Sequence, residues 1–176
     1  MIRLDYDQTV FNAVHNKQQC LVPHCTMRTN YPPACTRHLR SVYGVKLGAT
    51  TLVDNHNTAY EFQGILATNY FKAGDFILPY IGEIIDNKTL RQRYGTGLAT
   101  YALRATDDIV IDSVKLRGAA AMINMCRPRD TRRSANQSIQ NNCEFKFKRG
   151  FYPYITATRE IVPGDELFVN YGSNYF

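Results

Sequence analysis

Three cysteines and a histidine crowd into a short stretch near the start of the chain. Cys20-Leu-Val-Pro-His24-Cys25 sets four residues between two thiols, and Cys35-Thr-Arg-His38 sets two between a thiol and an imidazole. Zinc takes four such ligands in a tetrahedron. Two close pairs joined by a turn-forming stretch, here Asn30-Tyr31-Pro32-Pro33, let a short chain wrap one ion. A segment this small buries too little apolar surface to fold by itself, so the metal would supply its folding free energy. Cys20, Cys25, Cys35 and His38 are the expected ligands, because His24 sits directly beside Cys25 and would strain to reach the same ion. Four protein ligands leave no open coordination position, so the expected single zinc is structural, with a partner surface as a second role. Free buried thiols and a disulfide are the alternatives, and an intracellular setting disfavours the second.

The rest of the chain offers no convincing pairing of histidine with carboxylate, so nothing in it points to acid/base hydrolysis. It carries instead an ordered series of short motifs. These are Phe62-Gln63-Gly64-Ile65-Leu66-Ala67, then Lys72-Ala-Gly74-Asp75-Phe-Ile-Leu-Pro-Tyr80-Ile-Gly82-Glu83, then Tyr101-Ala-Leu-Arg104 and Ile111-Asp112. The small-residue run Gly118-Ala-Ala-Ala-Met-Ile-Asn124-Met125-Cys126 follows, then Asn141-Asn142-Cys143-Glu144-Phe145, and finally Arg159-Glu-Ile-Val-Pro-Gly164-Asp-Glu166-Leu-Phe-Val-Asn170-Tyr171-Gly172.

The elements that must position these residues are mostly strands. Runs of strand length cover 51–53, 65–67, 76–81, 101–104, 109–112, 143–147, 154–157 and 167–170, each bounded by Gly, Asn, Asp or Pro. Asp86 or Asn87 would cap a short helix through Arg93, ended by Tyr94-Gly95-Thr-Gly97, and Val114 to Ile123 has the alanine-rich composition of another. Val10, Phe11 and Val14 give residues 5–17 helical spacing. Many short strands with few helices predict a mainly β fold rather than alternating βαβ units.

With 176 residues, 44% of them hydrophobic, the chain is long enough for one packed domain and a small appendage. It has no apolar run long enough to span a bilayer and no secretory-signal layout at its start, so no membrane role is expected and an intracellular location is. The formal charge is +6, from 21 basic and 15 acidic residues. Arg127, Arg129, Arg132 and Arg133 concentrate part of it in a Pro- and Ser-containing stretch, read either as a solvated loop or as a contact for a nucleosome or nucleic acid.

The motif series resembles the ordered signature of SET-domain lysine methyltransferases from about Leu52 to Phe176, and the cysteine cluster is similar to small three-cysteine, one-histidine zinc knuckles. The resemblance implies a fold of small β-sheets with a C-terminal pseudoknot, divided as a helix-plus-knuckle segment over 1–45 and a SET domain over 46–176. It implies S-adenosyl-L-methionine as cofactor, with contacts from Gly64, Ile65, Tyr80, Asn124, Met125, Asn142 and Tyr171. It implies Tyr171 as the hydroxyl that orients amine and methyl group, and Tyr101 as the second wall of a lysine channel that Tyr175 and Phe176 close.

In four places the sequence departs from that pattern. Phe62 stands where the family has the first glycine of a glycine-x-glycine turn, Met125 where it most often has histidine, Asn170 for the usual aspartate, and Val169 where many members carry Phe or Tyr. The implied function is protein-lysine N-methylation, with histone tails as one substrate class and a nuclear location. A SET module that binds a peptide or nucleic acid without turnover, and a zinc-containing nucleic-acid adaptor, stay open as alternatives.

Overall fold

The computed structural model describes residues 18–52, 62–126 and 140–172. The helix expected over 5–17, Val53, the arginines at 127–133, Tyr175 and Phe176 lie outside the described residues. Among the described residues the architecture is four small antiparallel sheets with little helix. A hairpin of β1 (Gln18–Gln19) and β2 (Arg28–Thr29) opens it, followed by α1 (Thr36–Ser41). Next, β3 (Val45–Ala49) pairs with β4 (Gln63–Ala67). A third sheet has the order β5–β10–β9, formed by Phe76–Pro79, Tyr154–Ala157 and Cys143–Lys146. The fourth has the order β6–β8–β7, formed by Glu83–Ile85, Val110–Asp112 and Ala102–Arg104.

Six of the eight expected runs form ladder strands, while Thr51 and Leu52 are irregular, Thr51 N–H being taken by the Glu166 carboxylate, and the inward residues build one core. Ile65, Leu78, Ile111, Ile155, Ile161, Leu167 and Val169 are all fully buried. Each such side chain contributes about 1.5–3 kcal/mol relative to exposure.

Three elements differ from expectation. β3 begins several residues before the point where the strand texture becomes obvious, because Val45-Lys-Leu47 alternates only once before Gly48. The alanine-rich run gives a single 3-10 turn, Ala119–Met122, instead of a helix from Val114. Gly118 is held extended against the sheet, its N–H donating to the Ile81 carbonyl at 3.2 Å, and Ala119 N–H donates to the Pro32 carbonyl at 2.7 Å. A Cβ on Gly118 would lie 2.6 Å from the Ile81 carbonyl oxygen, so only glycine allows that approach.

The run 167–170 is no ladder strand. Its hydrogen bonds are shared between β4 on one side and Asn124 and Asn142–Cys143 on the other.

The helix α2 (Asn87–Tyr94) forms where the cap signals placed it. The Asp86 carboxylate accepts from Thr89 N–H at 2.7 Å, and Gly95 closes the C-terminus at φ +56°. Its last turn is anchored to the β6–β8–β7 sheet. Arg93 bridges Glu83 at 2.7 Å and the buried Asp112 at 2.8 Å, and the Tyr94 hydroxyl donates to the same Asp112 carboxylate at 2.9 Å. These bonds raise the Arg93 guanidinium still further above its ordinary value, Glu83 being the main cause. They hold the sheet whose β7 begins immediately after Tyr101.

Candidate active site

Cys20 and Cys25 lie in the loop of the β1–β2 hairpin. Cys20 N–H donates to Met27 at 2.9 Å, Cys25 N–H donates to Val22 at 3.1 Å, and His24 takes a left-handed φ of +62° that turns it to solvent. Cys35 caps α1, and His38 lies one helical turn along, so the helix sets the second pair on one face. The spacing of Cys35 and His38 alone predicts no helix, and the structure supplies one.

The ligand atoms of Cys20, Cys25, Cys35 and His38 lie within 4.8 Å of one another. His38 Nδ1 stands 3.3 Å from Cys20 Sγ and 3.6 Å from Cys35 Sγ. Tetrahedral zinc with bonds of about 2.0–2.3 Å places its ligand atoms roughly 3.5–3.8 Å apart, so the cluster is close to that size. All three thiols are buried and unpaired as disulfides.

The closing segment is held from both sides. Against β4, Leu167 N–H donates to Ile65 at 2.8 Å, and Ala67 N–H donates to Asp165 at 2.8 Å. On the opposite side it makes parallel bridges, Phe168 with Asn124 and Val169 with Cys143. Asn142 locks this arrangement, because its amide donates to the Glu166 carbonyl at 2.9 Å and accepts from Phe168 N–H at 2.8 Å.

Beyond these bridges, Tyr171 meets the segment that follows the 3-10 turn and carries Asn124. Its hydroxyl donates to the Ile123 carbonyl at 2.6 Å, and its N–H approaches Met125 Sδ at 3.5 Å. Two residues more than forty positions apart in sequence thereby share one wall.

That wall belongs to a cleft of about 410 Å³. Its lining includes Tyr80, Tyr101, Asn124, Met125 and Tyr171, five of the residues expected at a site, together with Phe62, Gln63, Leu103 and Phe145. Gly64, Ile65 and Asn142 are not among the lining residues. Ile65 is fully buried in the core, Asn142 spends its amide on the knot, and Gly64 makes room for Glu166. The Tyr80 hydroxyl donates to the Tyr101 carbonyl at 2.9 Å, and its ring meets Phe145 edge-on at 5.6 Å. The Arg117 guanidinium sits 3.9 Å above the Tyr101 ring, a cation–π contact. Arg117 carries no motif signal of its own, since a loop Arg is ordinary in sequence, and Phe145 enters only as the last residue of the Asn141–Phe145 run, with no site role expected.

The SET domain family model matches residues 63–172. The chain belongs to the SET domain family. The chain is similar to the histone-lysine N-methyltransferase trithorax of Drosophila melanogaster, with 27% identity over 86% of this chain and 4% of that protein. It is also similar to the histone-lysine N-methyltransferase ATXR7 of Arabidopsis thaliana, with 30% identity over 61% of this chain and 7% of that protein. The chain thus spans only a small part of the length of these relatives. Among solved structures, the SET domain fold is shared with ctPRC2 in an autoinhibited conformation bound to S-adenosylmethionine, at TM-score 0.55 and 22% identity over 76% of this chain and 16% of that one. The Chaetomium thermophilum polycomb repressive complex 2 matches at TM-score 0.54 and 22% identity, over 74% of this chain and 15% of that one. Among the described residues, no helix is long and apolar enough to cross a membrane.

Proposed function

We propose that the chain is an S-adenosylmethionine-dependent protein-lysine N-methyltransferase acting on histone tails in the nucleus. The observation that carries this reading is the junction of Tyr171 with Ile123 and Asn124 on the wall of one aromatic-lined cleft. The cleft's volume falls in the range of sites for molecules of cofactor size, and its mixed lining suits a ligand with an apolar body and polar ends. S-adenosylmethionine, when bound, supplies a methyl group activated on a cationic sulfonium. Asn124, Met125 and Gln63 would hold it on one side, with Tyr80 and Tyr171 toward the acceptor.

The protein's own contribution is to neutralise and aim a lysine. Only the neutral amine can attack, and for a free lysine near neutral pH that form costs about 4 kcal/mol. Tyr80, Tyr101, Leu103 and Phe145 form an apolar wall that disfavours the ammonium by desolvation. The Tyr171 hydroxyl donates its proton to Ile123 and so keeps its oxygen lone pairs for an incoming N–H or a polarised methyl C–H. Most of the acceleration is then positioning, because amine, carbon and sulfur must be collinear.

The cysteine–histidine cluster is proposed to hold one structural zinc. Its four donors match the preferred ligand set and close the coordination sphere. Arg127, Arg129, Arg132 and Arg133 are proposed to contact a nucleosome or nucleic acid. A second reading, peptide binding without turnover, rests on Phe62 and Met125 within the cleft lining. A screen of histones for methyl label separates the two: label on lysine is expected, and binding of peptide with no label across the panel contradicts methyl transfer.

A further inference from the structure

The residues lining the cleft carry no formal charge, yet Arg117 brings one to the outside of its wall. Leu116 is buried against Ile81, and Gly118 N–H is bonded to the Ile81 carbonyl, so the backbone on both sides of Arg117 is fixed. Ser113 N–H donates to the Tyr101 carbonyl at 2.9 Å and ties the same segment to Tyr101. The half-buried Arg117 places its guanidinium 3.9 Å from the centre of the Tyr101 ring. Tyr101 lines the cleft and Arg117 does not, so the cation stands behind the wall rather than in the site. Among the described residues Arg117 makes no ion pair.

We infer that Arg117 is a positioning residue acting through Tyr101: its charge behind the ring favours the neutral form of an amine in front of it. Resting on the methyltransferase reading, this deepens it by assigning a source for part of the deprotonation that methyl transfer requires. An aromatic wall alone works against that step, because the face of a tyrosine ring attracts an ammonium. A guanidinium on the far face opposes the attraction. An ammonium touching the near face would stand about 8 Å from it, close enough in a partly buried site to shift the amine's protonation by about half to one pH unit.

Charges on the neighbouring elements have partners of their own or are exposed. Asp112, at the end of β8, is bridged by Arg93 at 2.8 Å, and Arg93 also holds Glu83 of β6. On β9, flanking Phe145, Glu144 pairs with Lys146 at 2.8 Å. Arg104 of β7 donates to Asn87 and to the Asp107 carbonyl, and Lys115, on the segment of Arg117, is exposed. Glu166 of the closing segment is buried on the Asn124 side, 3.0 Å from Asn124 Nδ2. The other titratable groups of the wall, Tyr80 and Tyr171, both donate their hydroxyl protons to carbonyl oxygens.

The experiment is single-turnover methyl transfer from S-adenosylmethionine to histone-tail peptides by zinc-loaded full chain, between pH 6.5 and 9. In Arg117→Gln and Arg117→Met, two neutral replacements, the rate profile should move about half to one pH unit to the alkaline side. Transfer at pH 7 would then fall about three- to tenfold. Arg117→Lys keeps the charge but loses the planar stack, and its profile should stay within about 0.3 unit of the wild type. Lost packing alone would displace the lysine variant as much as the neutral ones, and that result overturns the inference. A neutral variant whose profile coincides with the wild type overturns it as well. So does a wild-type rate that does not rise with pH, because no ammonium is then left to suppress. No transfer by the wild type at any pH overturns the methyltransferase reading itself.

Discussion

The Tyr171 hydroxyl donates a 2.6 Å hydrogen bond to the carbonyl oxygen of Ile123, across 48 residues of sequence. The bond holds Tyr171, which lines the cleft, against the segment that carries Asn124. Substituting Phe for Tyr171 removes it while keeping the ring. The expected result is a fall in methyl transfer of at least about a hundredfold, with stability reduced by about 1 kcal/mol. Label incorporation and thermal melting read the two effects separately, and unchanged transfer would remove Tyr171 from the mechanism.

The second prediction concerns the metal. Gently purified protein should contain about one zinc per chain by elemental analysis, and Cys35→Ser should lose most of it. Chelation should raise hydrogen exchange over residues 18–41 first, because β1 and β2 are two residues each and α1 only six, too short to hold without the ion. Protection that is indifferent to chelator would mean the thiols fold without an ion.

Gly64 and Gly74 give a paired test of backbone against space. Gly64→Ala drives a Cβ to 2.2 Å from Glu166 Oε1, so a loss of about 2–4 kcal/mol is expected. Gly74→Ala meets nothing within 4 Å and pays only for a φ of +89°, about 1–2 kcal/mol. Urea denaturation of both variants should rank them in that order.

Asn142 is expected to act on stability more than on cofactor binding, because both ends of its amide are committed to 166–168. Truncation to Ala leaves a buried carbonyl and a buried N–H without partners, at a cost of about 2–4 kcal/mol. Affinity for S-adenosylmethionine, measured below the melting transition, should change less than threefold. A tenfold loss with unchanged melting would return Asn142 to the cofactor contacts.

Alkaline pH should weaken the fold. Burial pushes the Tyr152 hydroxyl and the Cys143 thiol each up to about 12, and burial followed by the Asp112 carboxylate pushes Tyr94 up to about 12. In the unfolded chain these groups lose protons from about pH 8.5–10. Above that range the unfolded state binds fewer protons than the native one, so stability falls as pH rises toward 12. Denaturation midpoints should be flat from pH 7 to 8 and decline beyond about 9; a midpoint that rises there contradicts the assignment.

Much of this was legible in sequence because it rests on local chemistry. The Asp86 cap and Gly95 stop gave α2 to within a residue, and the spacing of Cys20, Cys25, Cys35 and His38 marked a set that the structure draws together. What stayed hidden depends on distant partners. Ala119–Met122 reads as helix locally, yet the Gly118 and Ala119 N–H groups are claimed by Ile81 and Pro32. Asn142 falls at a motif position, but only the fold shows its amide holding the backbone of the closing segment. Glu166 likewise looked like one letter of a motif until Thr50, Thr51 and Asn124 converged on it.

The most direct measurement is transfer of labelled methyl from S-adenosylmethionine to a panel of core histones by zinc-loaded protein, with Tyr171→Phe beside it. The account predicts label that resists acid and maps to lysine, and that drops to background in the variant. No label above background with the wild type, in protein shown to be folded and zinc-loaded, would contradict it.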